Sequence, residues 1–305
     1  MTTITNAIIP VLSLIVVGFL LRRTQFVPDH FWPSAEKLTY YVFFPALLIH
    51  NLANKKISDL PWCEMLFTVQ GTVLVSALLL SSWRLFNPRG SGALFTSVFQ
   101  GGVRFNTFIA LAIAEALFGK EGLLIAVMGA AFMIPLINVL CVSAFSLTVP
   151  SDKVSLKGFF LSLAQNPLIL GCLIGGALNV SGIGLHQSLD GPLALVGKPA
   201  FPLGLMAVGA AYRVDNLFKQ WPALTVSSLM QLLCKPLIAF WLATHFCLSG
   251  TAAIIAVLLM AVPTAPSAYI LSRQLGGDHD SMASIITVQT AISILTLPIT
   301  LLLIS

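Results

Sequence analysis

The sequence predicts an all-α membrane protein whose ten transmembrane helices form two inverted five-helix repeats. Three observations lead to this prediction: an apolar composition, an internal similarity between the two halves, and a polar interruption in one apolar segment of each half. Of the 305 residues, 57% are hydrophobic and 9% are charged, and the mean hydropathy is +0.94. A soluble domain carries about 25% charged residues. The lipid bilayer must therefore solvate most of this apolar surface.

Ten segments are long enough for membrane-spanning helices, which need roughly 20 mostly apolar residues. The first segment lacks a basic start and is followed by Arg22 and Arg23, so we expect a retained span and not a signal peptide. The loops are too short for a soluble domain. The predicted spans are 5–22, 32–53, 61–83, 91–117, 122–149, 155–179, 190–212, 220–247, 251–275 and 281–304.

Basic residues in the loops predict the orientation, because cytoplasmic loops are enriched in Lys and Arg. The larger set of basic residues marks the cytoplasmic side, and an even number of spans then places both termini outside. We expect the protein in the cell membrane. The cytoplasmic set is Arg22, Arg23, Arg84, Arg89, Lys153, Lys157, Arg213, Lys219 and Arg273, and the opposite set is Lys55, Lys56 and Lys120.

Composition also argues against several classes of function. The net charge is +5. In a membrane protein the basic residues mostly mark the cytoplasmic loops, so this charge does not predict a nucleic-acid partner. The five cysteines are scattered in apolar runs and are expected to be buried free thiols, without disulfides or a metal site. No motif of a metalloprotease, nucleotide-binding protein or serine hydrolase is present. We therefore predict no enzyme, no metal and no cofactor.

A constant shift of 157 positions places landmarks of the first half on landmarks of the second. Because five spans is an odd number, the second copy must enter the membrane from the opposite side. The predicted repeats are 1–150 and 151–305. This symmetry favours an alternating-access transporter over an old duplication kept only for folding. The matched pairs are Pro10 and Pro167, Gly18 and Gly175, Phe44-Pro45 and Phe201-Pro202, Asn106 and Pro263, Gly119 and Gly276, and Glu121 and Asp278.

The fourth span is interrupted at 101–106, where two glycines precede Arg104 and Asn106. Irregular backbone at membrane depth is tolerated only where it is buried in protein or lines a cavity. A cation at this depth costs several kcal/mol unless it faces a cavity or a partner. If a half-helix restarts near Asn106, then Asn106 and Thr107 can cap it or hydrogen-bond a ligand.

The ninth span is interrupted in the same way. Pro263 and Pro266 remove backbone donors, and Thr264 and Ser267 add hydroxyls. Two helix N-termini and a guanidinium that meet at the midplane predict a site for a small anion such as a carboxylate. The alternative is a structural role in which the arginine pairs with a carboxylate. Glu115, nearly three turns along the same helix, is too far away for that pairing.

Further polar residues lie within predicted spans. Gln231 and Lys235 share a face of the eighth span, where Lys235 either balances a substrate charge, marks an ion-coupling path or forms a buried structural pair. Asn138 in the fifth span is expected to reach the first interruption. Gly171 and Gly175 predict a close helix contact, either within the chain or at a dimer face.

Several sequence stretches form a specific set that extends over nearly the whole chain: 35–48 (AEKLTYYVFFPALL), 104–107 (RFNT), 166–169 (NPLI), 201–205 (FPLGL) with 209–210, 263–269 (PTAPSAY), 283–286 and 297–298. This set resembles the auxin efflux carrier family, in its short prokaryotic form. The resemblance implies ten spans in two inverted repeats, usually as a homodimer. It implies a scaffold of spans 1, 2, 6 and 7, and a transport domain of spans 3–5 and 8–10.

In this family the fourth and ninth spans cross at their interruptions and hold the substrate there. Asn106 matches the asparagine of the first crossover, and Pro263 matches the proline of the second. Members move organic anions, including auxin in plants and malonate- or malate-type acids in bacteria. The implied partners are therefore a small organic anion, a coupling proton or sodium ion, and the bilayer.

The leading prediction is a secondary transporter of small organic anions, most simply carboxylates. The first alternative is a sodium-coupled symporter of amphipathic or sterol-like anions on the related bile-acid carrier fold. The second is a membrane receptor or an intramembrane enzyme. The predicted substrate-binding residues are Arg104, Asn106, Thr107, Pro263, Thr264, Pro266, Ser267 and Asn138, with Lys235 and Gln231 for coupling or charge balance.

Overall fold

The computed structural model describes residues 2–53, 60–86, 91–149, 166–212 and 220–304, with side chains from residue 6 onward. All regular structure within these ranges is helical, which confirms the predicted all-α class. Two π turns, Thr39–Phe43 and Met230–Cys234, join consecutive helices. The helices are α1 (Thr2–Arg23), α2 (Phe31–Leu38), α3 (Phe44–Ala53), α4 (Trp62–Phe86), α5 (Gly92–Val103), α6 (Thr107–Thr148), α7 (Pro167–Val180), α8 (Gln187–Gly197), α9 (Ala200–Ala210), α10 (Trp221–Leu229), α11 (Lys235–His245), α12 (Gly250–Ala261), α13 (Ser267–Leu275) and α14 (His279–Ile304).

Six helical segments in the described part of the chain are long and apolar enough to cross a membrane, and α7 and α12 are shorter apolar helices. The chain is therefore a multi-pass membrane protein. The segment Gly92–Thr148 includes the break between α5 and α6 and a second break inside α6 at Gly119, whose backbone is not helical (φ 62°, ψ −150°). The predicted count of ten spans stays a prediction, because other predicted spans are divided or only partly described. The six segments are Asn6–Arg23, Trp62–Phe86, Gly92–Thr148, Gln187–Ala210, Trp221–His245 and His279–Ile304.

A proline follows each π turn after one intervening residue: Pro45 in α3 and Pro236 in α11. A proline inside a helix has no N–H to donate, and its ring collides with the carbonyl four residues earlier. A wider π turn relieves this collision and keeps the helix running. The second π turn contains Gln231 and is followed at once by Lys235, so it sets the positions of both side chains.

The helices pack in two groups. In the first group, α1 packs against α9, and α3 packs against α7 and α8. In the second group, α4, α5 and α6 pack with α10 to α14 around a continuous apolar core. Contacts of α1, α7 and α9 with α6 connect the groups.

The predicted close helix contact at Gly171 and Gly175 lies within the chain, where both glycines face α3. A Cβ atom on Gly171 would lie 3.1 Å from the Pro45 Cα, and one on Gly175 would lie 2.8 Å from the Leu52 Cβ. The glycine face is therefore covered by α3 and is not free to form a dimer contact.

Two further sequence expectations are changed or lie outside the described ranges. All five cysteines are free, but only Cys141 is buried: Cys172 and Cys234 are half-buried, and the expectation of buried thiols is wrong for Cys63 and Cys247, which are exposed. Both lie at or near helix ends, where the chain leaves the packed core. Residues 155–165 of the predicted sixth span lie outside the described residues, as do the topology markers Lys55, Lys56, Arg89, Lys153, Lys157, Arg213 and Lys219.

Candidate functional site

A cavity of about 620 Å³ lies at the two helix interruptions. Its wall includes residues 104–108, residues 265–267, residues 166–168, part of the α2 region at 33–41 and the middle of α6 at 134–138. The first three of these segments contain the beginnings of α6, α13 and α7. Three helix N-termini therefore contribute to one cavity.

The first interruption is a short extended segment between α5 and α6. The α5 helix ends at Val103, and Arg104 has extended backbone angles of φ −70° and ψ 159°. Asn106 caps α6, because its Oδ1 accepts a hydrogen bond from the Ile109 N–H at 3.2 Å. The predicted half-helix start at Asn106 is confirmed.

The second interruption contacts the first. The α12 helix ends at Ala261, and Val262 leaves it with extended angles of φ −68° and ψ 150°. The Asn106 N–H donates a 2.8 Å hydrogen bond to the Pro263 carbonyl, which joins the two interruptions directly. The α13 helix then starts at Ser267, after Pro266.

The third helix start is α7, which has a strong N-terminal signature. The Asn166 Oδ1 accepts hydrogen bonds from the N–H groups of Leu168 (3.0 Å) and Ile169 (3.3 Å), and Pro167 occupies the first helical position. Asparagine at the cap followed by proline is a favoured helix start. Asn166, Pro167 and Leu168 all line the cavity.

The Arg104 guanidinium is held by neutral oxygen atoms. Its Nη2 donates to the Asn138 Oδ1 at 2.9 Å, and its Nη1 donates to the Ser267 Oγ at 3.4 Å. Among the described residues it forms no ion pair, so pairing with Glu115 or another carboxylate is not observed. Its positive charge therefore stays available to a ligand.

Two more charged side chains line the cavity, the half-buried Glu36 and the exposed Lys37. With Arg104, the described wall therefore carries two cations and one carboxylate. Partial positive charges at three helix N-termini add to this excess. The electrostatics of the cavity favour an anion.

These features lie in a chain that matches the family model described as Membrane transport protein over residues 3–301. The chain belongs to the auxin efflux carrier family. A relative from Methanothermobacter thermautotrophicus, described as an uncharacterized transporter, is 23% identical over 303 residues, which are 97% of this chain and 96% of the relative. The family resemblance drawn from the motifs is confirmed, and this auxin efflux carrier family member is a membrane transporter and not an enzyme.

The structure of this auxin efflux carrier family member divides the predicted site residues into two sets. Six of them line the cavity: Arg104, Asn106, Thr107, Asn138, Pro266 and Ser267. The other four lie outside its lining: Pro263, Thr264, Gln231 and Lys235.

Thr264 illustrates the second set. It is fully buried; its N–H donates to the Gln289 Oε1 at 3.0 Å, and its Oγ1 donates to the Gln100 carbonyl at 3.3 Å. Both bonds hold the second interruption against neighbouring helices. In the observed geometry Thr264 supports the crossing and does not face the cavity.

Sequence reasoning missed Asn166 and the α2 wall of the carrier's cavity. Asn166-Pro167 before an apolar run is a readable helix start, and it was recognised only as a family motif. Tyr40, which also lines the cavity, lies in the π turn before Pro45. A π turn rotates the side chains relative to the regular α-helical positions. The α-helical period therefore could not predict that Tyr40 lies in the cavity wall.

Proposed function

We propose that this transporter moves small organic anions, most simply carboxylates, by alternating access at the cavity. Its ten spans form two inverted five-helix repeats, with spans 1, 2, 6 and 7 as the scaffold and spans 3–5 and 8–10 as the transport domain. The observation that carries the proposal is Arg104, a cation without a carboxylate partner among the described residues, beside three helix N-termini.

The choice of a carboxylate rests on matched hydrogen-bonding groups. A planar guanidinium binds a carboxylate with two parallel hydrogen bonds, and the Nε of Arg104 is buried without a partner. The Nδ2 of Asn106 is a second buried donor without a partner, on a residue that is only 2% exposed and lines the cavity. Buried donors of this kind are costly unless a ligand or water accepts from them.

The inverted repeat is supported by contacts between matched positions. Asn106 and Pro263 differ by the 157-residue shift, and they hydrogen-bond to each other. Phe44 and Phe201 differ by the same shift, and their ring centroids lie 5.4 Å apart. A residue that touches its own repeat mate lies near a pseudo-two-fold axis. These contacts support an axis that passes close to the crossing.

Two equivalent helix contacts support the same symmetry. Gly18 in α1 approaches the backbone of Met206, and Gly175 in α7 approaches the backbone of Ile49. The shift of 157 converts the first pair into the second. Gly119 and Gly276, also repeat mates, both have positive φ, at 62° and 79°.

The separation into two packing groups supports alternating access. The cavity wall combines the α2 region and the start of α7 with the two interruptions and the middle of α6. Sliding of one group against the other would expose the same site to either face of the membrane, as inverted repeats permit. Homodimerisation, a cell-membrane location and external termini are further parts of the proposal, drawn from the family and from the basic loops.

The proposal is tested with purified protein in proteoliposomes. Radiolabelled short mono- and dicarboxylates should accumulate saturably, and unlabelled carboxylates should compete. The corresponding amides and amines should neither move nor compete, because they lack the negative charge that the cavity requires. Equal flux of a carboxylate and its amide, or no flux of any carboxylate, would refute the anion proposal.

A substitution at Asn106 separates its two roles. Asn106→Asp keeps the oxygen that caps α6, because Asp and Asn cap helices about equally well. It replaces the free Nδ2 donor by a carboxylate oxygen and adds a negative charge to the cavity wall, which opposes the binding of an anion. We expect carboxylate flux to fall by at least about tenfold, with little change in Tm.

The matched variant is Asn106→Gln, which keeps an amide donor but weakens the cap because its side chain is longer. It should lower Tm more than Asn106→Asp does and retain more flux. Wild-type flux in the Asn106→Asp variant would remove Asn106 from the binding site.

A further inference from the structure

Beside the crossing lies a buried lysine that does not line the cavity. Lys235 is 0% exposed and is absent from the cavity wall. Its Nζ donates to the Val103 carbonyl at 2.7 Å, to the Gln231 Oε1 at 2.9 Å and to the Arg104 carbonyl at 3.5 Å. An ammonium group has three donors, and each has one oxygen acceptor here.

Two of the three acceptors, the Val103 and Arg104 carbonyls, belong to the C-terminal end of the half-helix α5. Val103 is the last residue of α5, and the final carbonyls of a helix have no partner within the helix and carry partial negative charge. Gln231 binds the end of the other half-helix, α12. Its Nε2 donates to the carbonyl of Val262, the residue just after α12, at 2.5 Å. The Lys235–Gln231 pair therefore supplies hydrogen-bond donors to both C-terminal ends at the crossing, and the positive charge comes from Lys235 alone.

No carboxylate balances Lys235 in the described part of the chain, where the ion pairs present involve other residues. The helix ends and an amide oxygen supply the compensating negative potential. In secondary transporters, half-helix C-terminal ends and unwound carbonyls are the groups that coordinate a coupling Na⁺. Here a side-chain ammonium already occupies such a group of oxygens.

We propose that Lys235 is a tethered cation that takes the place of a coupling metal cation beside the crossing, so that transport, as proposed above, needs no Na⁺. Lys235 is a positioning residue. It holds the C-terminal end of α5, and thereby the segment that carries Arg104 and Asn106, in the geometry that the anion meets in the cavity.

Thermal stability tests the structural part without any substrate. Lys235→Ala removes a propylammonium fragment and leaves a hollow lined by carbonyl oxygens. We expect Tm to fall by roughly 5–10 °C and to recover by at least half of that fall in propylammonium chloride. Propanol, a neutral analogue of similar size, should not restore it. Wild-type Tm should be equal in sodium, potassium and choline chloride at one ionic strength.

Met133→Ala is the matched control, because Met133 is also 0% exposed, and its loss leaves a hollow in the apolar core of α6. Propylammonium should not raise its Tm. Failure of propylammonium to stabilise Lys235→Ala, or equal stabilisation of Met133→Ala, would overturn the proposal. If Lys235→Ala does not fold, Lys235→Met keeps the volume and removes the charge. It should then have a lower Tm than wild type, and an unchanged Tm would overturn the proposal.

Flux measurements separate this inference from the proposed function. Wild-type carboxylate flux should be the same in sodium-containing and sodium-free proteoliposomes, and flux that requires Na⁺ would overturn the tethered-cation proposal while leaving anion transport intact. Conversely, stabilisation by propylammonium without any carboxylate flux in the wild type would refute the proposed function and leave the role of Lys235 standing.

Discussion

Arg104→Ala should strongly reduce carboxylate transport while the protein stays folded. The substitution removes a cavity-lining guanidinium whose partners, Asn138 and Ser267, are neutral. Arg104 is half-buried, and a hydrogen bond to a charged group contributes about 1.5–3 kcal/mol, so uptake at low substrate concentration should fall at least about tenfold. The measurement is initial uptake into proteoliposomes, with Tm and size-exclusion profile recorded for each preparation.

The exposed Arg273 provides the matched control for this prediction. It lies in α13, six positions after Ser267, and it is not part of the cavity wall. Arg273→Ala removes the same charge from the same region and should leave uptake unchanged. Arg104→Lys should retain part of the flux, because an ammonium keeps the charge and loses the bidentate geometry. Normal uptake by Arg104→Ala would exclude the arginine from substrate binding.

The sequence was sufficient to locate both helix interruptions and the polar groups around them. Glycines before Arg104, and prolines at 263 and 266, are local signals that do not depend on tertiary contacts. The structure ends α5 and α12 at these places. The expected proximity of Asn138 to the first interruption is confirmed by its 2.9 Å hydrogen bond with Arg104.

The facing of each residue could not be read from the sequence. The spans are apolar on all sides, so helical periodicity gives no direction towards the cavity. Thr264 and Ser267 carry equivalent hydroxyls, yet Thr264 is fully buried against Gln100 and Gln289, and Ser267 lies in the cavity wall. The difference arises from the backbone path of the non-helical segment between α12 and α13, and this path is determined by the three-dimensional packing.

The contacts of Lys235 also could not be predicted from the sequence. A lysine deep in an apolar span is visible in the sequence, and its neighbour Gln231 follows from helical spacing. That its ammonium reaches the carbonyl of Val103, 132 positions away, depends on how α5 lies against the second π turn. Long-range contacts of this kind have no local signature.

The largest stability effect is expected at the contact between α1 and α9, where two glycines bring the helices together. A Cβ atom on Gly209 would overlap the carbonyl oxygen of Ile15, and one on Gly18 would overlap the carbonyl oxygen of Met206. The obstacle in each case is backbone, which cannot rotate away. Gly209→Ala should therefore force the helices apart and lower Tm by at least about 10 °C, or prevent accumulation of folded protein.

Gly176→Ala is the control, because it places the same methyl group in helix α7 with nothing within 4 Å. Alanine favours a helix over glycine by roughly 1 kcal/mol, so this variant should keep or slightly raise Tm. The double variant Gly18→Ala with Gly209→Ala should lose less stability than the two single losses added together. One separation of α1 from α9 makes room for both methyl groups, so the two costs are coupled. Strictly additive losses would mean that each glycine acts through its own surroundings, and that the two do not share one helix contact.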